Sequence, residues 1–294
     1  MSSAVRTPSA TRTSLGPSRQ RFVDGPIDLV IDIDADPRAT TAAFDLAYLE
    51  FVEVLPTLVD ELGTLRSPTT DPRPLNGEIA KAMRTSAARC SGGAFSTPMI
   101  AVAGAVADFI NRAIGHVDGV RKATVNNGGD IALTLNDDQS TVIGVVENLA
   151  AARLAGRVEI TADSPVRGIA TSGHAGRSLS LGIADSVTVF AGDAALADAA
   201  ATFIANRVDL DDHSGIDRRA ADSIDEGAAL GAALVPTLIP ALHPEDATRA
   251  LDNGAEAARR LHTEGTIEAA FLALQGHREV VGATGTHLAV SDLA

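Results

Sequence analysis

A single cysteine, Cys90, excludes any intrachain disulfide and argues against a cysteine-based metal cluster. Tryptophan is absent and aromatic residues make up only 3%, so the stacking platforms that hold single-stranded nucleic acid are nearly missing. Basic residues are scarce as well. The 24 Lys and Arg against 38 Asp and Glu leave a net charge of −14, which disfavours nucleic acid and anionic membrane as partners. The Ala-rich stretches never run to about 18 uninterrupted apolar residues, so no membrane-spanning helix is expected. The first twenty residues mix Arg with Ser, Thr and Pro and have no apolar h-region, which reads as a disordered tail rather than a secretory signal. A soluble chain in a reducing compartment, the cytoplasm, is the expectation.

What is present is apolar mass. With 45% hydrophobic residues in 294, the chain can bury a sizeable core. GPIDLVIDID alternates apolar and polar residues as a half-buried strand does. From Arg38 to about Leu65, Phe44, Ala47, Tyr48, Phe51, Leu55, Leu58 and Leu62 recur at helical spacing, with Pro56 expected to kink or split the helix. LRSPTTDPRP is a loop, and a shorter helix is expected from about Gly77 to Arg89. Ser96, Thr97 and Pro98 supply a capping hydroxyl and a first-position proline for the apolar helix PMIAVAGAVADFINRAI. KATV, DIALTL, TVIGVV, GRVEI, VRGIATSG and SVTVFA read as strands, and DAALADAAATFIANRV as a helix. An acidic loop, VDLDDHSGIDRR, is followed by Ala-rich helices to about Leu261 and a closing strand pair, IEAAFLALQ and EVVGA. No linker or repeat divides the chain, so a single mixed α+β domain over 21–294 is expected.

Three clusters could carry chemistry. In NNGGDIAL, Gly128 and Gly129 allow positive φ and close backbone approach, with Asn126, Asn127 and Asp130 around them. That suits a ligand cradle, although an ordinary hairpin turn needs nothing more. In GIATSGHAGRSLSLG, glycines and the hydroxyls of Thr171, Ser172, Ser178 and Ser180 lie beside His174 and Arg177. Such loops hold phosphate through backbone amides and an Arg fork, yet neither a Walker pattern nor GxGxxG is present. In ADAAAT, Asp198 and Thr202 stand at i and i+4 on a predicted helix, so their oxygens share one face and could reach Mg²⁺. A solvated helix face has the same spacing. Cys90 has no base beside it and reads as an inert thiol rather than a nucleophile. The histidines show no metal-ligand spacing, and DLDDH at 209–213 reads as a solvated acidic loop.

The order NNGGDI, then IATSG about 40 residues on, then a β run leading into ADAAAT, resembles the ApbE-like superfamily. Its best-known members are flavin transferases that move FMN from FAD onto a protein Thr or Ser with Mg²⁺. STPMIAVAGAVAD, VNNGGDIAL and SLSLGIADSVTVFA are closest to a shorter cytoplasmic branch. The resemblance spans about Phe22 to Gly282 and implies a mixed α+β fold with antiparallel sheets and packed helices. It implies that Asn127, Gly128, Gly129 and Asp130 line a nucleotide or substrate pocket. Thr171, Ser172 and Gly173, with Arg177 beyond them, would form its second wall. Asp198 and Thr202 match the superfamily's metal-binding Asp-x-x-x-Thr, and Asp130 or His174 would transfer protons. One departure stands out: where flavin transferases carry His-Asp-Pro-x-Thr-Gly, this chain reads GHAGRSLSLGIAD.

Three functions follow as expectations. The first is a Mg²⁺-dependent enzyme acting on a flavin (FAD or FMN) or another nucleotide, with an acceptor protein as partner. The second is an enzyme of small-metabolite or sulfur amino-acid metabolism using His174, Arg177 and Cys90, and the third a flavin- or nucleotide-binding protein without catalysis. The Ala-rich helices serve a homodimer interface and a monomer's core equally well.

Overall fold

Chain segments 10–148, 151, 153–174, 176, 179–224 and 230–282, with the backbone of 288–292, are described by the computed structural model. Strands β1 (Thr11–Gly16), β2 (Arg19–Asp24) and β3 (Ile27–Asp34) pair antiparallel in sequence. The composition of residues 1–20 predicts a disordered tail, but residues 11–20 belong to this sheet. Their Arg, Ser and Thr are what a solvated edge strand carries. Arg12 pairs with Asp45 at 2.7 Å, and its guanidinium lies 5.8 Å from the centre of the buried Phe22 ring. In β3 burial alternates strictly, with Ile27, Leu29, Ile31 and Ile33 turned inward, as the sequence period requires.

Helix α1 (Pro37–Asp60) starts at Asp36, whose carboxylate accepts from the Arg38 and Ala39 amides at 2.8 and 3.0 Å. It runs through Pro56 and gives way at Glu61 to the short α2 (Leu62–Leu65). Helix α3 (Glu78–Ser91) follows. A 3₁₀ turn (Pro98–Ala101) then leads into α4 (Val102–Gly115). This 18-residue apolar stretch is long enough to cross a membrane, but half of it is buried inside the fold and it packs as a core helix.

The next strands are β4 (Lys122–Asn127), β5 (Asp130–Leu135), β6 (Ser140–Asn148), β7 (Arg153–Thr161), β8 (Gly168–Ser172) and β9 (Ser186–Ala191), before α5 (Ala194–Ala205). Ala-rich helices were expected to follow the acidic loop directly. Instead a strand pair, β10 (Asp217–Ala220) and β11 (Leu234–Leu238), comes first, because Pro236 and Pro240 cannot sit in a helix interior. Pro244 then opens α6 (Pro244–Thr263) at its first turn, where a missing N–H costs nothing. Strands β12 (Ala269–Leu274), β13 (His277–Val281) and β14 (Leu288–Asp292) complete the chain.

Nine strands form one antiparallel sheet in the order β1-β2-β3-β4-β5-β8-β9-β12-β13, and a second sheet runs β14-β7-β6. The main sheet separates two cores. On one face, α1, α3, α4, α5 and α6 cover Leu29, Ile31, Val125, Ala132 and Val189. On the other, Ile143, Val145, Val158 and Ile160 of the second sheet pack on Leu133, Leu135, Ile169 and Phe190. The mixed α+β fold with antiparallel sheets is the one expected.

Candidate functional site

Strands β4 and β5 are joined by Gly128 and Gly129 alone, with Asn127 paired to Asp130. Both glycines have positive φ, +69° and +120°, the geometry that matches the twist of a two-residue hairpin. The Asn126 side-chain oxygen accepts from the Gly129 amide at 2.9 Å, so that amide is committed within the turn. Strand alternation turns Asn126 away from the helices and Asn127 with Asp130 toward them. Asn127 is buried and donates from Nδ2 to the Ala103 carbonyl at 3.1 Å, pinning the turn to the start of α4.

Opposite the turn, α4 and α5 exchange carboxylates. Asp198 of α5 accepts from the Gly104 amide at 3.0 Å and also from the Ala103 amide, filling the role that Ala101, the residue at the cap, cannot fill. Asp108 of α4 accepts from the Ala194 and Ala195 amides at 2.9 and 2.8 Å, while Asp193 accepts from Leu196 at 2.7 Å. The first-turn amides of α5 are therefore held by the chain's own carboxylates. The expected Ser96–Thr97 cap does not form: Thr97 makes no side-chain cap bond, and the Ser96 hydroxyl meets that of Thr69 at 3.3 Å.

Asp130 and Asp198 lie close enough for their charges to act on one another. Burial, and after it the negative charge of Asp130, push the Asp198 carboxyl well above the usual range, and the Gly104 and Ala103 amides offset this only in part. Burial likewise raises Asp108 to about 7, against its two amide donors. Thr202 lies one turn beyond Asp198 on the same face and is half-buried. Together the two carboxylates and the hydroxyl could hold a hard cation.

The second wall is split by the sheet. Extending the pairing Ile131↔Ile169 brings the end of β8 beside Asp130, but successive residues face opposite ways. Thr171 turns from the helices and its hydroxyl meets that of Thr188 at 2.9 Å, while Ser172 shares the helix-side face with Ala170. At Gly173 an added Cβ would lie 2.6 Å from the Asp185 carbonyl oxygen, so glycine here lets two backbones meet. His174 is exposed, and its Nδ1 lies 3.1 Å from the Ala184 carbonyl. A carbonyl only accepts, so this contact puts a proton on Nδ1, and in the neutral ring Nε2 is then the nitrogen with a lone pair. Arg177 lies outside the described residues.

The family described as AbpE bacteria matches residues 11–280, nearly the whole chain. The chain belongs to that family. The ApbE protein of Thermotoga maritima superimposes on 92% of this chain and 96% of its own, with a TM-score of 0.51 at 12% identity, a likeness of fold. Among curated relatives, a UPF0280 protein of Methanosarcina acetivorans is 40% identical over 114 residues, 38% of this chain and 44% of that protein. A UPF0280 protein of Methanopyrus kandleri is 37% identical over 160 residues, 54% and 61% respectively. The aligned part spans about half the length of these curated relatives.

In this ApbE-like chain a cleft of about 830 Å³ opens on the face of the main sheet away from the helices, lined by Arg19, Arg21, Asp32, Lys122, Asn126 and Gly128. It reaches the β4–β5 turn and stops short of Asp198 and Thr202. Asp209, expected in a solvated loop, is instead half-buried against Arg218 at 2.7 Å. The sequence reading missed Asp108, although it is the one acid in the apolar run from Pro98 to Ile110.

Cys90 is fully buried, and desolvation pushes its thiol up to about 12. Native protein is therefore expected to leave a disulfide reagent such as DTNB unreacted at pH 8 and to react within seconds once unfolded in guanidinium. Rapid native labelling would show that the thiol is reachable.

Proposed function

We propose that this ApbE-like chain binds a flavin or other nucleotide together with Mg²⁺ and moves FMN from FAD to a hydroxyl of an acceptor protein. The observation that carries the reading is the meeting of Asp130 and Asp198 on the helix-side face of the sheet, with Thr202 one turn away. All three donors are hard oxygens. Mg²⁺ needs only one or two carboxylates when phosphate oxygens and water complete its octahedron. No cluster of three or more His, Cys, Asp or Glu suited to a metal occurs among the described residues, which fits such a sparse site.

When bound, the cation would neutralise charge on the pyrophosphate. The chain's own residues supply the rest. Asp198 and Asp130 would hold the cation on the helix side, and the 830 Å³ cleft, whose volume suits a nucleotide, lies on the other face of the sheet and approaches that position only at the β4–β5 turn. In the neutral ring the Nε2 of His174 would take the proton of an acceptor hydroxyl, with Asp130 as the other candidate for that task.

Equilibrium dialysis of FAD with and without Mg²⁺ tests the site. Binding should depend on Mg²⁺ in the natural protein, and the double variant Asp198→Ala, Thr202→Ala should bind at least about tenfold more weakly. Full affinity in the double variant would remove the metal assignment. Incubation with FAD, Mg²⁺ and a candidate acceptor, read by mass for added FMN, separates transfer from binding alone.

A further inference from the structure

The first turn of α5 is wedged on two sides by glycines. An added Cβ at Gly104 of α4 would lie 2.1 Å from the Ala194 carbonyl oxygen, and one at Gly168 of β8 would lie 2.0 Å from that of Asp193. Both distances are far below any real contact, so backbone meets backbone at each point. Such contacts fix how near α5 lies to its neighbours, but they are not directional and leave rotation about its axis open.

Asp108 supplies the missing direction. Its two carboxylate oxygens accept from two successive amides, Ala194 at 2.9 Å and Ala195 at 2.8 Å, and two parallel bonds to one fork define an orientation that a single bond does not. Asp198 stands four residues after Ala194 and Thr202 four residues after that, so both lie above the anchored amides on one face of the helix. A turn of 20° in α5 would carry these oxygens sideways by about 1 Å or more, given a helix radius near 2.3 Å and side chains reaching further. Cation sites tolerate errors of only about 0.2 Å in ligand distance.

We propose that Asp108 is the positioning residue of the cation site, setting the rotation of α5 that turns Asp198 and Thr202 toward Asp130. Asp108 acts through its bonds to α5; its charge also reaches Asp198, but loss of that charge alone would weaken the Ala and Asn variants equally, whereas loss of the anchor weakens Ala more. The inference rests on the reading that Asp130, Asp198 and Thr202 hold a cation, and it adds a residue that the Asp-x-x-x-Thr pattern does not contain.

Mn²⁺ binding followed by electron paramagnetic resonance tests it without reference to activity. The natural protein, Asp108→Ala and Asp108→Asn are compared well below their unfolding temperatures, with folding checked by circular dichroism. Asp108→Ala should bind Mn²⁺ about tenfold or more weakly, as loss of an outer-shell partner does, and Asp108→Asn, which keeps one acceptor, should fall between. A loss of stability alone would leave the Mn²⁺ affinity of the folded fraction unchanged. Unchanged affinity in a folded variant overturns the role of Asp108 and leaves the cation reading standing. Absence of Mn²⁺ binding in the natural protein, with FAD present as well as without it, overturns both. Should Asp108→Ala fail to fold, Asp108→Asn decides by the same criterion.

Discussion

In metal-free buffer Asp198→Asn is expected to be more stable than the natural protein, and to gain nothing from Mg²⁺. The asparagine oxygen can still accept from the Gly104 amide, so that bond of the cap on α4 survives. What disappears is a half-buried negative charge that feels the charge of Asp130. The sign of the pH effect follows from linkage. A carboxyl raised in the folded state binds its proton more tightly there than in the unfolded chain, so its contribution to stability falls as pH rises above about 4. The asparagine variant lacks that loss, and its advantage should widen from pH 5 to pH 8. Asp108, raised to about 7, loses stability with the same sign in both proteins, and because its charge also pushes Asp198 up, the asparagine variant is relieved of that repulsion as well.

Mg²⁺ reverses the order. At about a hundred times its dissociation constant it should stabilise the natural protein by about 2.7 kcal/mol, roughly 5–10 °C in Tm for a chain of this size, and leave Asp198→Asn unmoved. Urea unfolding in EDTA and in Mg²⁺ at the two pH values gives all four quantities. A variant several kcal/mol weaker in EDTA would mean that Asp198 is kept for the helix cap and not for a cation.

Gly168→Ala should cost about 3 kcal/mol or more, at the upper end of what overpacking does. The new methyl would lie 2.0 Å from both the carbonyl carbon and the oxygen of Asp193 and 2.2 Å from the Ala194 amide nitrogen. None of these is a flexible side-chain end, so the relief must come from moving α5 or β8 as a whole. Either movement displaces Asp198 from Asp130. The expected result is therefore a fall of roughly 6 °C or more in Tm together with weaker cation binding in the fraction that folds. Gly192→Ala is the control. That glycine is exposed with nothing within 4 Å of an added Cβ, and the change should stay within about 0.5 kcal/mol. Equal behaviour of the two variants would show that the packing at Gly168 is slack.

Much of the architecture was legible in local pattern. The alternation of Ile27 to Asp34, the glycine pair between two strands and the helical period of α1 each involve residues within one or two turns of one another. Where local signals failed, a distant group had taken over. Ser96, Thr97 and Pro98 form a helix-start signal, yet the amides of α4 are met by Asp198, about a hundred residues away. The arginines and serines of residues 11–20 have the composition of a tail, and only the pairing of β2 with β3 makes them an edge hairpin. The Ala-rich run after residue 220 looked helical throughout, but its prolines leave the first part to strands.

By itself the sequence determined most of the element types, the acidic character of the chain, and the residues Asn127 to Asp130, Thr171 to His174, Asp198 and Thr202 as candidates. Only the tertiary structure decided which of these lie together. It joined Asp130 to Asp198 across a sheet and a helix, sent Thr171 to the opposite face, and brought in Asp108 as the anchor of α5. The physical reason is range: side-chain periodicity is a property of neighbours along the chain, whereas the encounter of two half-buried carboxylates depends on how separate elements pack.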